Sequence, residues 1–302
     1  MPQVLDLLRA ALGEPPLLRR TPELFSWKHF DNPFGRSLAI LAEAGDRVVG
    51  LRALMRWDLT TPARSVIHCV RAVDTATHPE FHRRGIFQRL TEEALDLAVA
   101  EGIDLVFNTP NEKSGAGYLK MGWKEVGPVG VMVRPSIRAL GGTRKDQEID
   151  PTLFIDDPYP ASDLAIRDRP PIGLRTTRTD SYLRWRFASH PTATYVRVDE
   201  DDSTAVLRPN NRDGRRELVL ADVFGSRPRT AIRSAAQRSR ADYMASWFSP
   251  GTRERNAAVW AGLMPVPWLR PMTLMARPLR ELDVDVLEMS NWDLAVSDLE
   301  LL

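Results

Sequence analysis

The chain has 302 residues, 43% of them hydrophobic and 27% charged, a composition typical of globular proteins and a length that predicts two domains. Its 41 Lys and Arg residues against 40 Asp and Glu residues leave a formal charge of +1, so whole-protein attraction to nucleic acid or an anionic membrane is not expected. One cysteine excludes an internal disulfide framework, and the absence of a signal-peptide pattern or an apolar run of about 18 residues predicts a cytoplasmic protein.

The first 135 residues alternate between helical and strand-like patterns. The predicted helices are an apolar-spaced stretch from Leu5 to Leu12, residues 21–30, a long helix that begins at Ile86, and a short one that is closed by residues 118–123. The predicted strands are residues 37–42, 47–55, 66–75, 103–107 and 130–133. This alternation, which includes a strand–turn–helix–strand unit, predicts an α/β fold.

The second half of the chain repeats features of the first. Residues 27–33 have a counterpart in residues 185–191, with Trp, a basic residue and Pro at matched spacing, and Met-Val-Arg-Pro at 132–135 returns as Met-Ala-Arg-Pro at 275–278. Two matches in the same order indicate a diverged internal duplication, with chance spacing as the alternative. Between them we predict strands near 194–198, 217–222 and 243–248 and a helix at 230–240.

A basic turn joins the strand predicted at residues 66–75 to the helix that begins at Ile86. Helix N-termini leave backbone N–H groups unpaired and carry positive partial charge, so they bind phosphate. Gly85 permits close approach of the backbone, while Arg83 and Arg84 can add positive charge. By residue type alone, a solvated arginine pair beside an ordinary helix start explains the turn equally well. Neither a Walker loop nor a GxGxxG fingerprint is present.

Residues 78–87, His-Pro-Glu-Phe-His-Arg-Arg-Gly-Ile-Phe, resemble the acyl-CoA pyrophosphate loop of the GNAT acyltransferase superfamily, in which Arg/Gln-x-x-Gly-x-Gly/Ala follows a strand. Asn111, followed by Tyr-Leu-Lys-Met-Gly-Trp at 118–123, is similar to the family's Asn…Tyr-x-Lys-x-Gly-aromatic stretch. Two positions depart from the pattern: His82 stands where Arg or Gln is usual, and Phe87 where Gly or Ala is usual. The resemblance implies a mixed central sheet flanked by helices.

The resemblance and the internal repeat together predict three segments. Residues 1–137 form a GNAT acyltransferase domain with the acyl-CoA site, residues 138–180 a connecting segment, and residues 181–302 a second, diverged GNAT-like domain. The second domain has no basic glycine turn at 221–229, so we expect no CoA binding there.

Acetyl-CoA or another acyl-CoA is the co-substrate that the resemblance implies. The residues it assigns to donor binding are Thr75, Ala76, Thr77, His82, Arg83, Arg84, Gly85, Ile86, Phe87, Asn111 and Ser114. Tyr118 matches the family's general-acid tyrosine, whose phenol can protonate the CoA thiolate, with a packed helix aromatic as the alternative. Asp74 is the candidate base, with a turn cap or an arginine partner as its alternative, and Asn111 could equally be a helix cap.

Two other reactive groups do not lead to a second site. His68 and Cys69 lie in an apolar run, so we interpret the cysteine as buried and structural. The five histidines lack metal-ligand spacing, and no metal is predicted. Trp27 and Trp185 are interpreted as core anchors.

The predicted activity is acyl-CoA-dependent N-acyl transfer, most simply acetyl transfer, to the amine of a small molecule. A donor carried by an acyl carrier protein or by aminoacyl-tRNA is the first alternative, and the near-zero charge argues against tRNA. A non-catalytic acyl-CoA-binding protein is the second alternative. No membrane partner is predicted, and the sequence does not indicate the oligomeric state.

Overall fold

The computed structural model describes residues 1–14, 19–136, 150–164 and 169–299. The helices are α1 (Pro2–Leu12), α2 (Pro22–His29), α3 (Ile86–Ala100), α4 (Glu112–Lys120), α5 (Asp180–Leu183), α6 (Pro228–Arg238), α7 (Arg253–Trp260) and α8 (Val296–Leu299). The strands are β1 (Leu38–Ala44), β2 (Arg47–Thr60), β3 (Val66–Thr77), β4 (Leu105–Asn108), β5 (Lys124–Val129), β6 (Met132–Pro135), β7 (Tyr159–Pro160), β8 (Arg175–Thr176), β9 (Val196–Glu200), β10 (Ser203–Arg212), β11 (Arg215–Phe224), β12 (Tyr243–Ser246), β13 (Met264–Pro265) and β14 (Met272–Pro278).

Two mixed sheets organise the described residues. The first has the order β1-β2-β3-β4-β14-β5, with β8 paired to β2, and the second has the order β13-β6-β12-β11-β10-β9-β7. Each contains one parallel pair, β3 with β4 and β11 with β12. Both parallel pairs are short: β3 and β4 pair only from Cys69 to Arg71, and β11 and β12 only from Glu217 to Val219. Beyond these residues the paired strands separate, which leaves a gap in each sheet.

The two sheets exchange one strand each. β6, from the first half of the chain, pairs with β12 and β13 in the second sheet, while β14, from the second half, lies between β4 and β5 in the first. These strands carry the repeated Met-x-Arg-Pro sequence. Arg277 of β14 donates to the Met121 carbonyl at 2.6 Å, and its guanidinium lies over the Trp123 ring. Each sheet therefore depends on residues from both halves of the chain.

The predicted segment boundaries at 137 and 181 stay a prediction. Much of the predicted connecting segment, residues 138–149 and 165–168, lies outside the described residues. Its described parts include β7, which joins the second sheet, and β8, which joins the first. These stretches thus contribute strands to both sheets.

The two halves meet at a reciprocal tryptophan pair. The rings of Trp27 and Trp185 stack with centroids 4.4 Å apart and planes 11° apart. Each indole N–H donates to the other residue's carbonyl, at 2.9 Å from Trp27 and 2.8 Å from Trp185. Reciprocal contacts between corresponding residues are what a two-fold relation produces, and they agree with the predicted duplication. Both side chains are at most 5% exposed, which confirms them as core anchors.

We expect Trp27→Ala to lower the free energy of unfolding by about 3–5 kcal/mol, the usual cost of removing a large buried aromatic side chain. The substitution deletes the stacked ring and leaves the Trp185 carbonyl without its donor. Urea denaturation followed by circular dichroism measures the change. Trp268→Ala is the matched control, because Trp268 is 81% exposed and its loss leaves no cavity. An equal effect of the two substitutions would contradict this role for the pair.

Candidate active site

A cleft of about 850 Å³ opens where β3 and β4 separate. Twelve of the thirteen predicted site residues line it: Asp74, Thr75, Ala76, Thr77, His82, Arg83, Gly85, Ile86, Phe87, Asn111, Ser114 and Tyr118. Arg84 is the exception; it donates to the Glu80 carbonyl at 3.4 Å, and its guanidinium lies 4.7 Å from the centre of the Phe81 ring. The fold thus brings residues separated by more than forty positions into one surface.

One wall of the cleft is the free edge of β3. Past Arg71, this strand keeps β2 on one side, with Leu51 opposite Ala76 and Gly50 opposite Thr77, while β4 no longer pairs with its other side. A backbone edge of this kind can pair with the amides of an extended ligand, as a strand would. A bulge interrupts the β2–β3 register at Asp74, whose φ is +44°.

The opposite end of the cleft is the N-terminus of α3. Gly85 caps it in the left-handed conformation, with φ +74°, and within the described residues no side chain caps the first turn. The helix therefore presents its N-terminal N–H groups to the cleft, where they can receive an anion. His82 Nε2 donates to the Thr77 carbonyl at 3.0 Å, which fastens the loop to the end of β3.

Phe87 points towards α4. Its ring meets the Tyr118 ring edge to face, with centroids 5.6 Å apart, and lies against Gly117. A Cβ at position 117 would approach the Phe87 ring to 3.0 Å, so a glycine here makes room for the ring. The large residue in the donor loop is accommodated by the adjacent helix.

Tyr118 and Asn111 stand at the two ends of α4. The Tyr118 side chain is buried, and its hydroxyl accepts a hydrogen bond from Arg52 Nη1 at 2.7 Å. Asn111 is the N-cap: its side-chain oxygen accepts from the Ser114 N–H at 3.0 Å, and the Ser114 hydroxyl donates to the same oxygen. Asn111 and Ser114 therefore fix the start of the helix that carries Tyr118.

Three basic side chains surround the Asp74 carboxylate. Lys28 Nζ lies 2.8 Å and His29 Nε2 3.0 Å from one oxygen, and an Arg20 nitrogen lies 3.4 Å from the other. Burial raises the pKa of Asp74, but the Lys28 charge and the His29 hydrogen bond outweigh it and hold that pKa well below its usual range. A carboxylate with so low a proton affinity is a weak base. The geometry favours the ion-pair alternative for Asp74, and its base role stays a prediction.

The corresponding gap in the second sheet is filled by the chain itself. The C-terminal segment enters where β11 and β12 separate: the Val296 N–H donates to the Trp247 carbonyl at 2.9 Å, and the Ser297 hydroxyl donates to Asp222 at 3.1 Å. Arg178 pairs with the Asp222 carboxylate at 2.7 Å, as Arg20 does with Asp74. A carboxylate held by arginine at the bulge is thus present in both halves, including the half whose gap is closed.

Two residues of the site were missed by the sequence analysis. Asn108, at the end of β4, lines the cleft and is only 4% exposed, and its Oδ1 has no hydrogen-bond partner within the described residues. Arg52 lies behind Tyr118. The available signals were a polar residue directly after a buried strand and an arginine inside the apolar run 48–55.

Other reactive groups lie away from the cleft. Cys69 is buried, and burial raises the pKa of its thiol, as expected for an unreactive structural cysteine. Among the described residues there is no group of three or more His, Cys, Asp or Glu side chains that could hold a metal ion. No helix in the described ranges is long and apolar enough to cross a membrane.

Residues 1–126 match the family model of the acetyltransferase (GNAT) domain. The N-terminal part of this chain is therefore similar to GNAT acetyltransferases over 126 of its 302 residues. The matched residues include the α3 loop, both strands of the cleft and Tyr118, so the match covers the site described above. This similarity supports acyl transfer as the general activity. No curated protein sequence matches the chain.

Solved structures share this fold over most of the chain. A GCN5-related N-acetyltransferase from Anabaena variabilis has a TM-score of 0.60 at 13% identity, covering 92% of this chain and 70% of that one. Eis1 from Mycobacterium abscessus has a TM-score of 0.58 at 15% identity, with the same coverage. A GCN5-related N-acetyltransferase from Kribbella flavida has a TM-score of 0.57 at 15% identity, covering 92% and 68%. This likeness concerns the fold, and it includes the second, GNAT-like sheet.

Proposed function

We propose that the chain is an acyl-CoA-dependent N-acyltransferase, most simply an N-acetyltransferase, that acylates the amine of a small molecule. The observation that carries this proposal is the cleft itself, which joins a strand edge that β4 leaves unpaired, a helix N-terminus that no described side chain caps, and a tyrosine hydroxyl. The second half would take part through β14 rather than through a donor site of its own, because its own gap is filled by residues 296 and 297.

The residues of the cleft fit a CoA thioester along its length. The N-terminus of α3 would receive the diphosphate, with Arg83 adding charge. The free edge of β3 at residues 75–77 would pair with the amides of the pantetheine arm. Asn108 supports this fit from the opposite wall, because a buried amide oxygen without a partner is costly unless a ligand N–H completes it.

Acyl transfer in this cleft requires one bond to form and one to break. The neutral amine nitrogen attacks the thioester carbonyl carbon, and a backbone N–H at the β3 bulge stabilises the charge that develops on the carbonyl oxygen. The C–S bond then breaks, and its electron pair stays on sulfur. Tyr118 donates its hydroxyl proton to that thiolate, and the proton lost by the attacking nitrogen restores the phenol through solvent. The products are an amide and free CoA.

Adjacent arginines provide the test of donor binding. In isothermal titration with acetyl-CoA, we expect Arg83→Glu to weaken binding by about tenfold or more, since it places a negative charge in the cleft beside the diphosphate. Arg84→Glu makes the same change in charge at an exposed residue outside the cleft, so it should bind within about threefold of the wild type. Equal losses would show that the loop acts only through net charge. No binding by the wild type at millimolar acetyl-CoA would reject this donor and turn the search to carrier-bound acyl groups.

Asn108→Leu separates donor binding from stability. Leucine has the same branched arrangement of four side-chain heavy atoms without a polar atom, so we expect the free energy of unfolding to stay equal or to rise. Acetyl-CoA binding should weaken by about tenfold, which corresponds to about 1.4 kcal/mol and to one hydrogen bond. Thermal denaturation and titration on the same samples give both quantities. A destabilised variant with normal binding would contradict the assignment of Asn108 to the donor.

A further inference from the structure

Arg52 is a charged residue in the middle of an apolar strand. It lies in β2 where the register shifts against the bulge of β3, between the pairs Leu51–Ala76 and Ala53–Val73. Its side chain is 0% exposed. Leu54, two positions along and therefore on the same face of the strand, packs in one core cluster with Tyr118.

The guanidinium of Arg52 is bound on one side only. Nη1 donates to the Tyr118 hydroxyl and to the Thr75 hydroxyl, both at 2.7 Å, and the charge lies 5.2 Å from the centre of the Tyr118 ring. Within the described residues, Nε and Nη2 have no hydrogen-bond partner and no carboxylate forms an ion pair with this arginine. Burying a guanidinium without a carboxylate destabilises a protein, so stability does not explain an arginine here.

We propose that Arg52 is a positioning residue that directs the hydroxyl proton of Tyr118 into the cleft. A guanidinium can only donate hydrogen bonds, so Tyr118 Oη must accept from it, and the phenolic proton must point elsewhere. Tyr118 lines the cleft, which is where a departing thiolate would stand. The inference rests on the proposed acyl transfer and names the group that orients its general acid.

The same arginine links the tyrosine to the donor strand. Thr75 Oγ1 accepts from Arg52 at 2.7 Å and donates onward to the Val73 carbonyl at 3.4 Å. One side chain thereby sets the distance between Tyr118 and the β3 bulge, where the thioester carbonyl is proposed to bind. Reaction rates depend steeply on such distances, and a rigid, buried side chain fixes them more firmly than mobile water molecules would.

The second half of the chain offers an internal comparison. Its sheet has a corresponding register shift in β10, between Val206 and Leu207, opposite β11. The β10 residues on the helix side of this sheet, Ala205 and Leu207, are fully buried and apolar, and the gap beside β11 is filled by Ser297 and its neighbours. At the register shift, the half with the open cleft therefore carries a buried arginine on the helix side of its sheet, while the half with the closed gap carries apolar residues there.

Arg52→Met, Tyr118→Phe and the double variant test this role. Methionine keeps the length and apolar stem of the side chain, and replacing a buried charge with an apolar residue is neutral or stabilising, so the variant should fold. We expect kcat to fall about 100-fold in each single variant, while KM for acetyl-CoA stays within about threefold. The double variant should be no slower than Tyr118→Phe, because the arginine acts only through the tyrosine. Arg52→Lys, which keeps a donor, should recover part of the loss.

Turnover is followed as thiol release from acetyl-CoA with a panel of amino sugars, amino acids and arylalkylamines, or with water when no amine is accepted. A second readout needs no turnover: in protein labelled with ¹³Cζ-tyrosine, Arg52→Met should shift the Tyr118 resonance, assigned by its loss in Tyr118→Phe, and leave the other four of the five tyrosines in place.

The outcomes separate the inference from the proposed function. An active wild type with normal kcat in Arg52→Met, or a double variant whose losses multiply, overturns the role of Arg52. A wild type that neither binds acetyl-CoA nor releases thiol overturns the proposed function. In that case the NMR readout decides alone, and an unmoved Tyr118 resonance in Arg52→Met overturns the inference as well.

Discussion

Residues 1–137 expressed alone should fail to fold, although they contain every residue that lines the proposed donor site. The missing part is β14, which separates β4 from β5 in the first sheet and pairs with both. Three of its side chains, Leu274, Met275 and Ala276, are buried, and burying a leucine or methionine side chain contributes about 1.5–3 kcal/mol. Domains are stable by only about 5–15 kcal/mol, so losing these side chains and both hydrogen-bond ladders removes most of that stability.

Circular dichroism and urea denaturation of the 1–137 fragment measure this outcome: we expect no cooperative transition. The matched control is a fusion of the same fragment to a flexible linker and a copy of residues 270–280. That fusion should recover a cooperative transition and acetyl-CoA binding, whereas a copy with Leu274 and Met275 changed to Asp should not. A fragment 1–137 that folds and binds the donor unaided would show that the strand exchange is dispensable.

This dependence on β14 marks the limit of what local sequence patterns predict. The turn at Gly85, α3 and α4 were predicted because caps, spacing and turn residues lie within a few positions of one another. The strand predicted at 130–133 is observed at 132–135, and residues 124–129, whose side chains are largely exposed, form β5 without a clear alternating pattern. The partners of β14, the strands β4 and β5, lie more than 140 residues away along the chain, and no local signal specifies them.

The candidate site shows the same difference between features with a local sequence signal and features that depend on distant residues. The resemblance found the loop and Tyr118, because these residues are consecutive or regularly spaced in the chain. Arg52 and Asn108 were missed because their importance depends on their surroundings in the folded chain. Arg52 contacts a tyrosine 66 positions away, and Asn108 lies where β3 and β4 separate, with its Oδ1 lacking a hydrogen-bond partner within the described residues. Arg84 was included because the resemblance covers the whole loop from Arg83 to Phe87, and in the structure its side chain lies against Phe81, outside the lining of the cleft.

Asp74→Asn should lower the free energy of unfolding at pH 7 by about 3–5 kcal/mol, the usual cost of removing one partner from a buried ion pair. The change leaves the buried side chains of Lys28 and Arg20 without the carboxylate that neutralises them. A base role makes a different prediction: kcat falls at least about 100-fold while stability changes little. Urea denaturation and acetyl-CoA turnover on the same preparation distinguish the two, and a stable but inactive Asp74→Asn variant would restore Asp74 as the base.

The pH dependence of stability gives an independent measure of this ion-pair cluster. Because the folded-state pKa of Asp74 is lowered, its contribution is fully present above the unfolded-state pKa of about 3.9 and is lost as pH falls through the folded-state pKa. The stability difference between the wild type and Asp74→Asn should therefore be constant from pH 7 to pH 5 and shrink below about pH 4. Asp6→Asn, on the exposed face of α1, is the control and should leave the pH dependence of the free energy of unfolding below about pH 4 unchanged. A difference that stayed constant down to pH 2.5 would place the stabilisation elsewhere than in the Asp74 charge.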